Sequence, residues 1–292
     1  MKKIITTNKY CRSVFGEQLY KLSLSAATDC PNRRAEGGCI FCSEGGSGEF
    51  AAPAAWDIDR QIEYAKRKVS AKYSGQRYIA YFQSYTGTYG ELSHLREMYL
   101  AAAKREDIAA LSIATRPDCL GPEVMEMLSE LSSVKPLWVE LGLQSGSDDT
   151  AKRIRRGYLF EEYEAAVCKL RTLPIHIITH VILGLPGEDR EQMLCSVRAA
   201  AIGDGIKLQL LHVLKGTELE KWYYEGRCKV LSPQEYYDIV AEALECLPEG
   251  MVVHRMTGDG DKRLLIAPLW SADKKKTING LYAVLRARGM EI

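Results

Sequence analysis

The chain has 292 residues, of which 46% are hydrophobic and 26% charged, and this apolar content is enough for a large core. Its net charge of +1 produces no global field toward nucleic acid or anionic membrane, and no segment resembles a signal peptide or an apolar membrane span. Nine cysteines without a disulfide-scaffold pattern predict a reducing compartment, so we expect a cytoplasmic protein with no membrane partner.

Strand-like and helix-like segments alternate along the chain. Hydrophobic patterning predicts strands over residues 20–25, 78–83, 109–115, 137–144, 175–183 and 206–213. It predicts helices over residues 57–73, 92–104, 122–131, 161–170, 188–201, 233–246 and 274–288. Residues 252–255 and 264–266 are predicted to form a last short pair of strands.

Repeated strand–helix units with nearly continuous apolar strands indicate a parallel sheet. No dinucleotide-binding fingerprint is present, so the pattern favours an α/β barrel, full or partial, over a doubly wound sheet. In such a barrel the functional residues gather where the carboxyl ends of the strands meet.

Three cysteines, Cys30, Cys39 and Cys42, have the spacing C-x8-C-x2-C, with no fourth cysteine or histidine nearby. Structural zinc sites take four protein ligands, and iron–sulfur clusters normally take four thiolates. The triplet therefore favours a 4Fe–4S cluster with one iron open to an outside ligand. Zinc with a distant or water ligand, and three unrelated thiols, are the alternatives. The remaining cysteines lack C-x2-C spacing, so we expect no second cluster.

Glu140 lies inside the apolar segment LWVELGLQ, on the same strand face as Gln144 because side chains alternate along a strand. A buried glutamate is costly unless it is paired. In one interpretation, Glu140 binds a ligand, either by accepting hydrogen bonds from ribose hydroxyls or by pairing with a positively charged group. In the other, it forms a structural salt bridge with Arg116. His176 and His180 lie in another apolar strand, where a satisfied core histidine is the usual outcome.

Segments along almost the whole chain resemble one family. They are CPNR…GGCIFC (30–42), YFQSYTGTYG (81–90), TRPDCL (115–120), VELGLQSGSDDT…RRGY (139–158), HVILGLPGE (180–188), LLHVLKGT (210–217), and HRMTGDG with LIAPLW (254–270). On these residues the chain resembles the radical S-adenosylmethionine (SAM) superfamily, within the group of the Elongator catalytic subunit and the tRNA methylthiotransferases, and more narrowly the short bacterial YhcC/YtqA-type family. The eight-residue gap in the cysteine loop and Tyr158, which stands where relatives commonly have histidine, depart from the common pattern.

The resemblance implies a partial (β/α)6 barrel of the TIM type over residues 1–250, with its cluster loop at 30–42. It implies a C-terminal extension over residues 251–292 that packs on the barrel and closes its open side. It also implies that Cys30, Cys39 and Cys42 bind one 4Fe–4S cluster, whose open iron is chelated by the amine and carboxylate of SAM. The residues implied to contact SAM are Gln83, Ser84, Thr86, Arg116, Glu140, Gln144, Arg156, Ile182 and Leu185.

The activity implied by the resemblance is reductive cleavage of SAM to a 5′-deoxyadenosyl radical that abstracts a hydrogen atom from the substrate. A flavodoxin or ferredoxin is the implied electron donor. No side chain is assigned as catalytic.

Relatives act on tRNA anticodon uridines, so the expected substrate is the 5-substituent of wobble uridine, of the carboxymethylaminomethyl type, with tRNA as a partner. The residues expected near the substrate are Tyr89, Tyr158, His212, Lys215, Arg255 and Asp259. The alternatives are a radical SAM enzyme acting on a small metabolite or peptide, and a non-catalytic iron–sulfur or zinc protein that binds RNA.

Overall fold

The computed structural model describes residues 2–46, 50–258 and 260–292. The strands are β1 (Lys2–Lys3), β2 (Ile5–Thr6), β3 (Tyr20–Leu24), β4 (Tyr78–Phe82), β5 (Ile108–Thr115), β6 (Leu137–Gln144), β7 (Ile175–Leu183), β8 (Gly205–Leu210), β9 (Val213–Leu214), β10 (Val252–Arg255), β11 (Leu265–Ala267) and β12 (Met290–Glu291). The helices are α1 (Thr7–Phe15), α2 (Pro31–Glu36), α3 (Ile58–Val69), α4 (Leu92–Lys104), α5 (Pro122–Val134), α6 (Asp148–Arg153), α7 (Phe160–Leu170), α8 (Arg190–Ala200), α9 (Glu218–Tyr224), α10 (Pro233–Cys246) and α11 (Lys274–Ala287).

The central sheet has eight parallel strands in the order β2-β10-β8-β7-β6-β5-β4-β3. From β3 to β8 each strand pairs with the next one along the chain, and helices connect them. The curved sheet is thus a partial (β/α)6 barrel that β10 and β2 extend at one edge. This architecture confirms the predicted fold class, and it places every β-to-α loop of the barrel at one end.

The two faces of each strand have different environments. Val139, Leu141 and Leu143 of β6 are fully buried in the apolar layer between the sheet and its helices. Trp138 and Glu140 alternate with them and face the interior of the barrel. Burying one leucine or valine contributes roughly 1.5–3 kcal/mol, so the outer layer stabilises the barrel and leaves the interior face available for chemistry.

Helix α1 closes the amino end of the barrel interior. Cys11 of α1 is fully buried in one apolar cluster with Ile79 and Trp138, which project inward from β4 and β6. Thr6 caps the helix by accepting a hydrogen bond from the Lys9 amide. The sequence analysis did not predict this helix, because Cys11 is its only fully buried residue among nine.

A pair of histidines lies beside α1 at the same end. The Nε2 atoms of His176 and His254 are 2.9 Å apart, and Thr7 Oγ1 lies 3.3 Å from His254 Nδ1. The ring of Tyr10 stacks on His176 with centroids 4.7 Å apart. Burial lowers the pKa of His176 to about 4, so this histidine is neutral near pH 7. The interpretation of His176 as a satisfied core residue is therefore confirmed.

The predicted last pair of strands is wrong in its partners. β10 and β11 do not pair with each other: β10 is parallel to β8 and β2 inside the main sheet, and β11 is antiparallel to β9. The reason is that an apolar strand such as β10 gains more by continuing the barrel sheet than by forming an isolated hairpin.

Among the helices of the described residues, none is long and apolar enough to cross a membrane.

Candidate active site

The cysteine loop follows β3 at the carboxyl end of the sheet. Cys30 is the N-cap of α2, and Pro31 takes the first helical position, where a missing amide hydrogen has no cost. Gly37 ends the helix with a φ of 75°, which favours glycine. A turn then follows in which the amide of Cys42 donates to the carbonyl of Cys39 at 3.0 Å. The segment predicted as a plain loop thus contains a short helix.

The three thiols lie within electrostatic range of one another. Burial, together with the neighbouring Cys42 and Cys30, raises the pKa of Cys39 to about 12 against the opposing charge of Arg116. Asn32 Nδ2 donates to the Cys39 sulfur at 3.5 Å.

Three thiols on one loop suit an iron–sulfur cluster, which displaces their protons on binding. Over residues 2–46, 50–258 and 260–292, no three potential metal ligands converge as closely as a bound ion requires. The loop fits a cluster in the type of its ligands and in its position at the carboxyl end of the sheet.

The segment after β4 lies against this loop. The Ser84 carbonyl accepts a hydrogen bond from Thr28 Oγ1 at 2.9 Å, and the Thr86 amide donates to the Asp29 carbonyl at 3.2 Å. The Thr86 hydroxyl is buried and has no hydrogen-bond partner among the described residues. A buried hydroxyl without a partner is costly, so this oxygen is placed to contact a ligand. Gln83 is half-buried beside it.

Arg116, at the end of β5, does not pair with Glu140, so the predicted salt bridge between them is wrong. Its Nε and Nη2 atoms donate to both oxygens of Asp118 at 2.9 and 2.7 Å. Its Nη1 donates to the carbonyl of Arg156 at 2.9 Å, and its guanidinium lies 4.7 Å from the centre of the Tyr158 ring. Arg116 therefore joins the ends of β5 and β6, beside the cysteine loop.

Glu140 is fully buried in the barrel interior and contacts four side chains. Its Oε1 accepts from Lys21 Nζ at 2.5 Å and from Ser112 Oγ at 2.6 Å. Its Oε2 lies 2.6 Å from His180 Nε2 and accepts from Lys207. Burial alone would raise the pKa of Glu140, but Lys207, Lys21 and His180 outweigh it and hold that pKa well below its ordinary value. The carboxylate is therefore ionised.

Sequence reasoning missed Lys21 and Lys207, which surround Glu140 with positive charge. Both lie in predicted strands, YKLSLS and IKLQLLHV, at positions where an apolar residue is expected of a buried strand. An inward lysine was therefore a usable signal. Arg255 of β10 adds a third cation that acts on Lys207 and His180, and Glu140 is the carboxylate that opposes them. Burial lowers the pKa of Lys207 well below its ordinary value, against the attraction of Glu140 and with the repulsion of Lys21 and Arg255.

Gln144 ends β6 with a positive φ of 59°, beside Tyr158. The Tyr158 hydroxyl donates to the Gly142 carbonyl and lies 3.1 Å from the Gln144 side-chain amide. Arg156 is almost fully buried and donates to the carbonyls of Leu143 and Ser145 at 2.5 and 2.6 Å. These bonds fix the end of β6 and place Gln144 at the mouth of the barrel.

Ile182 and Leu185 belong to an apolar cluster at the carboxyl end, which also contains Ile40 of the cysteine loop. The amide of Ile40 donates to the Ile154 carbonyl at 3.1 Å, and its carbonyl accepts from the Leu219 amide at 2.8 Å. These apolar contacts and hydrogen bonds therefore connect the cysteine loop to the end of α6 and to α9.

The C-terminal segment lies against the loop after β8. A Cβ atom added at Gly258 or Gly260 would lie 2.7 or 2.8 Å from the His212 ring, so glycine is required for this approach. Lys215 is exposed, and its amide donates to the Leu264 carbonyl at 2.8 Å.

The other residues predicted near the substrate are distributed differently. Arg255 is half-buried toward the Glu140 network, and Tyr158 is buried behind Gln144. Tyr89 lies at the rim, with the Arg34 guanidinium 5.8 Å from its ring centre. Asp259 lies outside the described residues. The structure therefore places most of the predicted SAM contacts at the carboxyl end, with Glu140 deeper in the barrel, and it does not bring the predicted substrate contacts together.

Two family models match the chain. The model of the radical SAM superfamily matches residues 27–199, and that of the radical SAM C-terminal domain matches residues 203–287. The chain belongs to the radical SAM superfamily, whose enzymes use a 4Fe–4S cluster and SAM as cofactors.

Among individual proteins, YtqA of Bacillus subtilis is 42% identical over 293 residues, which cover 99% of this chain and 91% of YtqA. The tRNA uridine(34) acetyltransferase of Dehalococcoides mccartyi is 30% identical over 154 residues, which cover 51% of this chain and 33% of that protein. The solved structure of the archaeal Elp3 from Methanocaldococcus infernus superposes with a TM-score of 0.70 at 17% identity. The match covers 94% of this chain and 64% of the Elp3 chain, and it shows that the two share a fold.

Proposed function

We propose that this radical SAM enzyme remodels the 5-substituent of the wobble uridine of tRNA, a substituent of the carboxymethylaminomethyl type. The observation that carries the proposal is the likeness of half the chain to a protein whose name specifies uridine 34 of tRNA. The cations around Glu140 support a substituent with a carboxylate, because Lys21 and Arg255 are only partly buried.

In this proposal Cys30, Cys39 and Cys42 hold the cluster, and an electron donor of the flavodoxin or ferredoxin type reduces it. When bound and reduced, the cluster would supply the one electron that cleaves SAM to methionine and a 5′-deoxyadenosyl radical able to remove a hydrogen atom from the substrate. The buried Thr86 hydroxyl, beside Gln83 and Ser84, would contact the methionine part of SAM.

On the opposite side of the mouth, Ile182 and Leu185 offer an apolar surface for the adenine. Gln144 and Arg116 lie near the ribose and carboxylate in this arrangement, and Arg156 holds the backbone that positions Gln144. The role of Glu140 as a SAM contact stays a prediction. Its oxygens already bind Lys21, Ser112, His180 and Lys207, so a contact with SAM would have to replace one of these partners or be added to them.

Two measurements test the proposal. Anaerobically reconstituted protein should contain about four iron atoms per chain and should form 5′-deoxyadenosine from SAM under reducing conditions. Zinc alone, with no 5′-deoxyadenosine, would favour the non-catalytic RNA-binding protein. Nucleoside mass spectrometry of tRNA from cells with and without the gene should reveal a changed wobble uridine. An identical profile would reject the tRNA substrate and leave a small metabolite or a peptide.

A further inference from the structure

A cleft outside the cofactor site opens at the carboxyl end of the barrel. Its volume is about 330 Å³, and Arg153, Pro186, Gly187, Trp222 and Arg227 line it. These residues come from the end of α6, the loop after β7, and α9 with the turn that follows it. A volume of this size is at the lower end of the range for small-ligand sites. The residues that line it take no part in the cofactor site.

The walls of the cleft combine an aromatic ring with two cations. The Arg227 guanidinium lies 4.2 Å from the centre of the Trp222 ring. Arg153 Nη1 donates to the Pro186 carbonyl at 2.9 Å and crosses Gly187, where an added Cβ atom would lie 2.5 Å from it. A tryptophan face stacks on nucleobases of any sequence, and arginine pairs with phosphate.

Arg227 is available for such a ligand. Its partner is Glu225 at 3.1 Å, and both side chains are 55% exposed. Exposed ion pairs contribute little to stability, so a phosphate can replace the carboxylate at small cost. An acidic peptide would also satisfy the arginines, but it would leave the face of Trp222 unused.

The cleft is directly connected to the cysteine loop. Ile40, between Cys39 and Cys42, is hydrogen-bonded to Ile154, the residue after Arg153, and to Leu219 of α9. Trp222 packs against the apolar cluster that contains Ile40. A ligand in the cleft therefore lies one layer of side chains away from the cysteine loop.

We propose that this cleft binds one nucleotide of single-stranded RNA beside the nucleotide that is modified. The base takes the place of the Arg227 guanidinium on the Trp222 ring, and the phosphate pairs with Arg153 and with the displaced Arg227. The proposal rests on the tRNA function proposed above and adds the part of the surface that holds the anticodon loop, whose unpaired bases are free to stack on proteins.

The test measures the binding of a labelled anticodon stem–loop RNA to the reconstituted protein and its variants. Trp222→Leu removes the ring and keeps the apolar contact with Ile40, and Trp222→Phe keeps an aromatic face. Arg227→Ala removes the cation. Arg198→Ala is the matched control, because Arg198 is also exposed and paired with a glutamate, but it lies in the last turn of α8 at the amino end of the sheet.

We expect Trp222→Leu and Arg227→Ala to weaken binding about tenfold, Trp222→Phe to recover most of the affinity, and Arg198→Ala to bind as the wild type does. Arg227→Ala should also lower the slope of log affinity against log salt by about one. Formation of 5′-deoxyadenosine without RNA should not change in any of these variants.

The outcomes separate the two proposals. If the wild-type protein binds the stem–loop and the cleft variants bind it equally well, the cleft assignment is wrong and the tRNA function stands. If the wild-type protein does not bind the stem–loop, the tRNA function fails and the cleft assignment fails with it. A loss in Trp222→Leu that Trp222→Phe shares equally would indicate packing rather than stacking, and it would also overturn the cleft assignment.

Discussion

The two ends of the barrel interior differ in whether their buried polar groups have hydrogen-bond partners. At the amino end, His176 and His254 bond to each other, Thr7 bonds to His254, and α1 covers them. At the carboxyl end, the Thr86 hydroxyl and Arg155 Nε are buried without a hydrogen-bond partner anywhere in the part of the chain that the structure describes. The amino end is complete as protein alone, and the carboxyl end is not.

This difference locates function on physical grounds. Native proteins pair nearly all buried polar atoms, so unpaired ones concentrated at one end of an otherwise satisfied interior indicate a missing ligand. The ionic layer of Glu140, Lys21 and Lys207 lies between the two ends. It is paired internally like the amino end, yet Lys21 is partly exposed like the mouth.

The largest expected effect is at the mouth, where replacing Cys30, Cys39 and Cys42 by alanine should remove all cluster iron and all formation of 5′-deoxyadenosine. The physical reason is that no other cysteine pair in the sequence has ligand spacing. Iron and sulfide analysis after anaerobic reconstitution measures it. Cys168→Ala, an exposed thiol on α7, is the matched control and should keep about four iron atoms. A cluster that survives the triple replacement would contradict the assignment.

The next largest effect tests whether the ionic layer of Glu140, Lys21 and Lys207 contributes to stability, as the amino end does, or to ligand binding, as the mouth does. Glu140→Gln removes a buried negative charge that faces Lys21 and Lys207, and breaking a buried ion pair typically costs about 3–5 kcal/mol. We expect a clear fall in the free energy of unfolding, measured in urea. Glu63→Gln, at an exposed pair with Lys66, is the control and should change it by less than about 1 kcal/mol.

SAM affinity in the Glu140→Gln protein separates the two roles of that carboxylate. A tenfold weaker affinity, about 1.4 kcal/mol, would support the predicted contact with SAM. An unchanged affinity together with the lost stability would assign Glu140 to the ionic layer alone.

A third expectation concerns acid, and it probes the amino end. Burial lowers the pKa of His176 to about 4 from an ordinary 6.5, so between these values the unfolded chain binds more protons than the folded one. Stability is therefore full above pH 6.5 and falls as the pH drops toward 4, by up to about 1.4 kcal/mol per pH unit for this histidine. His176→Gln should make the pH dependence of the urea midpoint shallower, whereas His94→Gln, on the exposed face of α4, should not. If the urea midpoint depends on pH equally steeply in the two variants, His176 does not make the predicted contribution to the loss of stability in acid.

The smallest expected effect compares one threonine from each environment. Thr86→Val should weaken SAM binding about tenfold with little loss of stability, because its hydroxyl has no hydrogen-bond partner to lose among the residues that the structure describes. Thr179→Val should do the reverse, since Thr179 Oγ1 lies 2.7 Å from the Tyr163 hydroxyl. Its loss leaves that buried hydroxyl with only the longer 3.5 Å bond to the Ala200 carbonyl, at a cost of roughly 1–3 kcal/mol. Isothermal titration with SAM and urea unfolding measure both, and a loss of stability in Thr86→Val without a change in affinity would reject the contact.

The parts of the fold that the sequence predicts well are those whose signal is local. β6 and β7 lie at their predicted bounds, residues 137–144 and 175–183, because both are continuous apolar runs between polar turns. The helix predicted from residue 57 is α3, which Asp57 caps with a side chain that accepts from the Arg60 amide at 2.8 Å. By contrast, α2 was hidden by the asparagine, arginines and glycines of the cysteine loop, which are typical of irregular segments.

At the site, the sequence predicts which residues could bind a cluster or a ligand, but it does not predict which side chains form ion pairs with one another. The cysteine spacing and the inward position of Glu140 are both readable from the chain. The partners of Glu140 are not, since Lys21 and Lys207 lie 119 and 67 positions away and only the closure of the barrel brings them together. For the same reason no local sequence pattern predicts the cleft beside Trp222, whose walls come from three separate segments of the chain.

The pairing of β2 with β10 sets the order in which this protein becomes complete during its synthesis. Thr7, the first residue of α1 and the one that follows β2, contacts His254 of β10, 247 positions further along the chain. At about 5–20 residues per second, the ribosome makes that stretch in roughly 12–50 s. Throughout that interval β2 lacks β10, the strand with which it pairs, and the amino end of the barrel lacks the histidine that Thr7 meets. From its own synthesis until β10 follows, β8 is an open sheet edge. Nascent chains stalled before β10 should therefore be sensitive to proteases and bound by chaperones, and release from both should coincide with the emergence of β10.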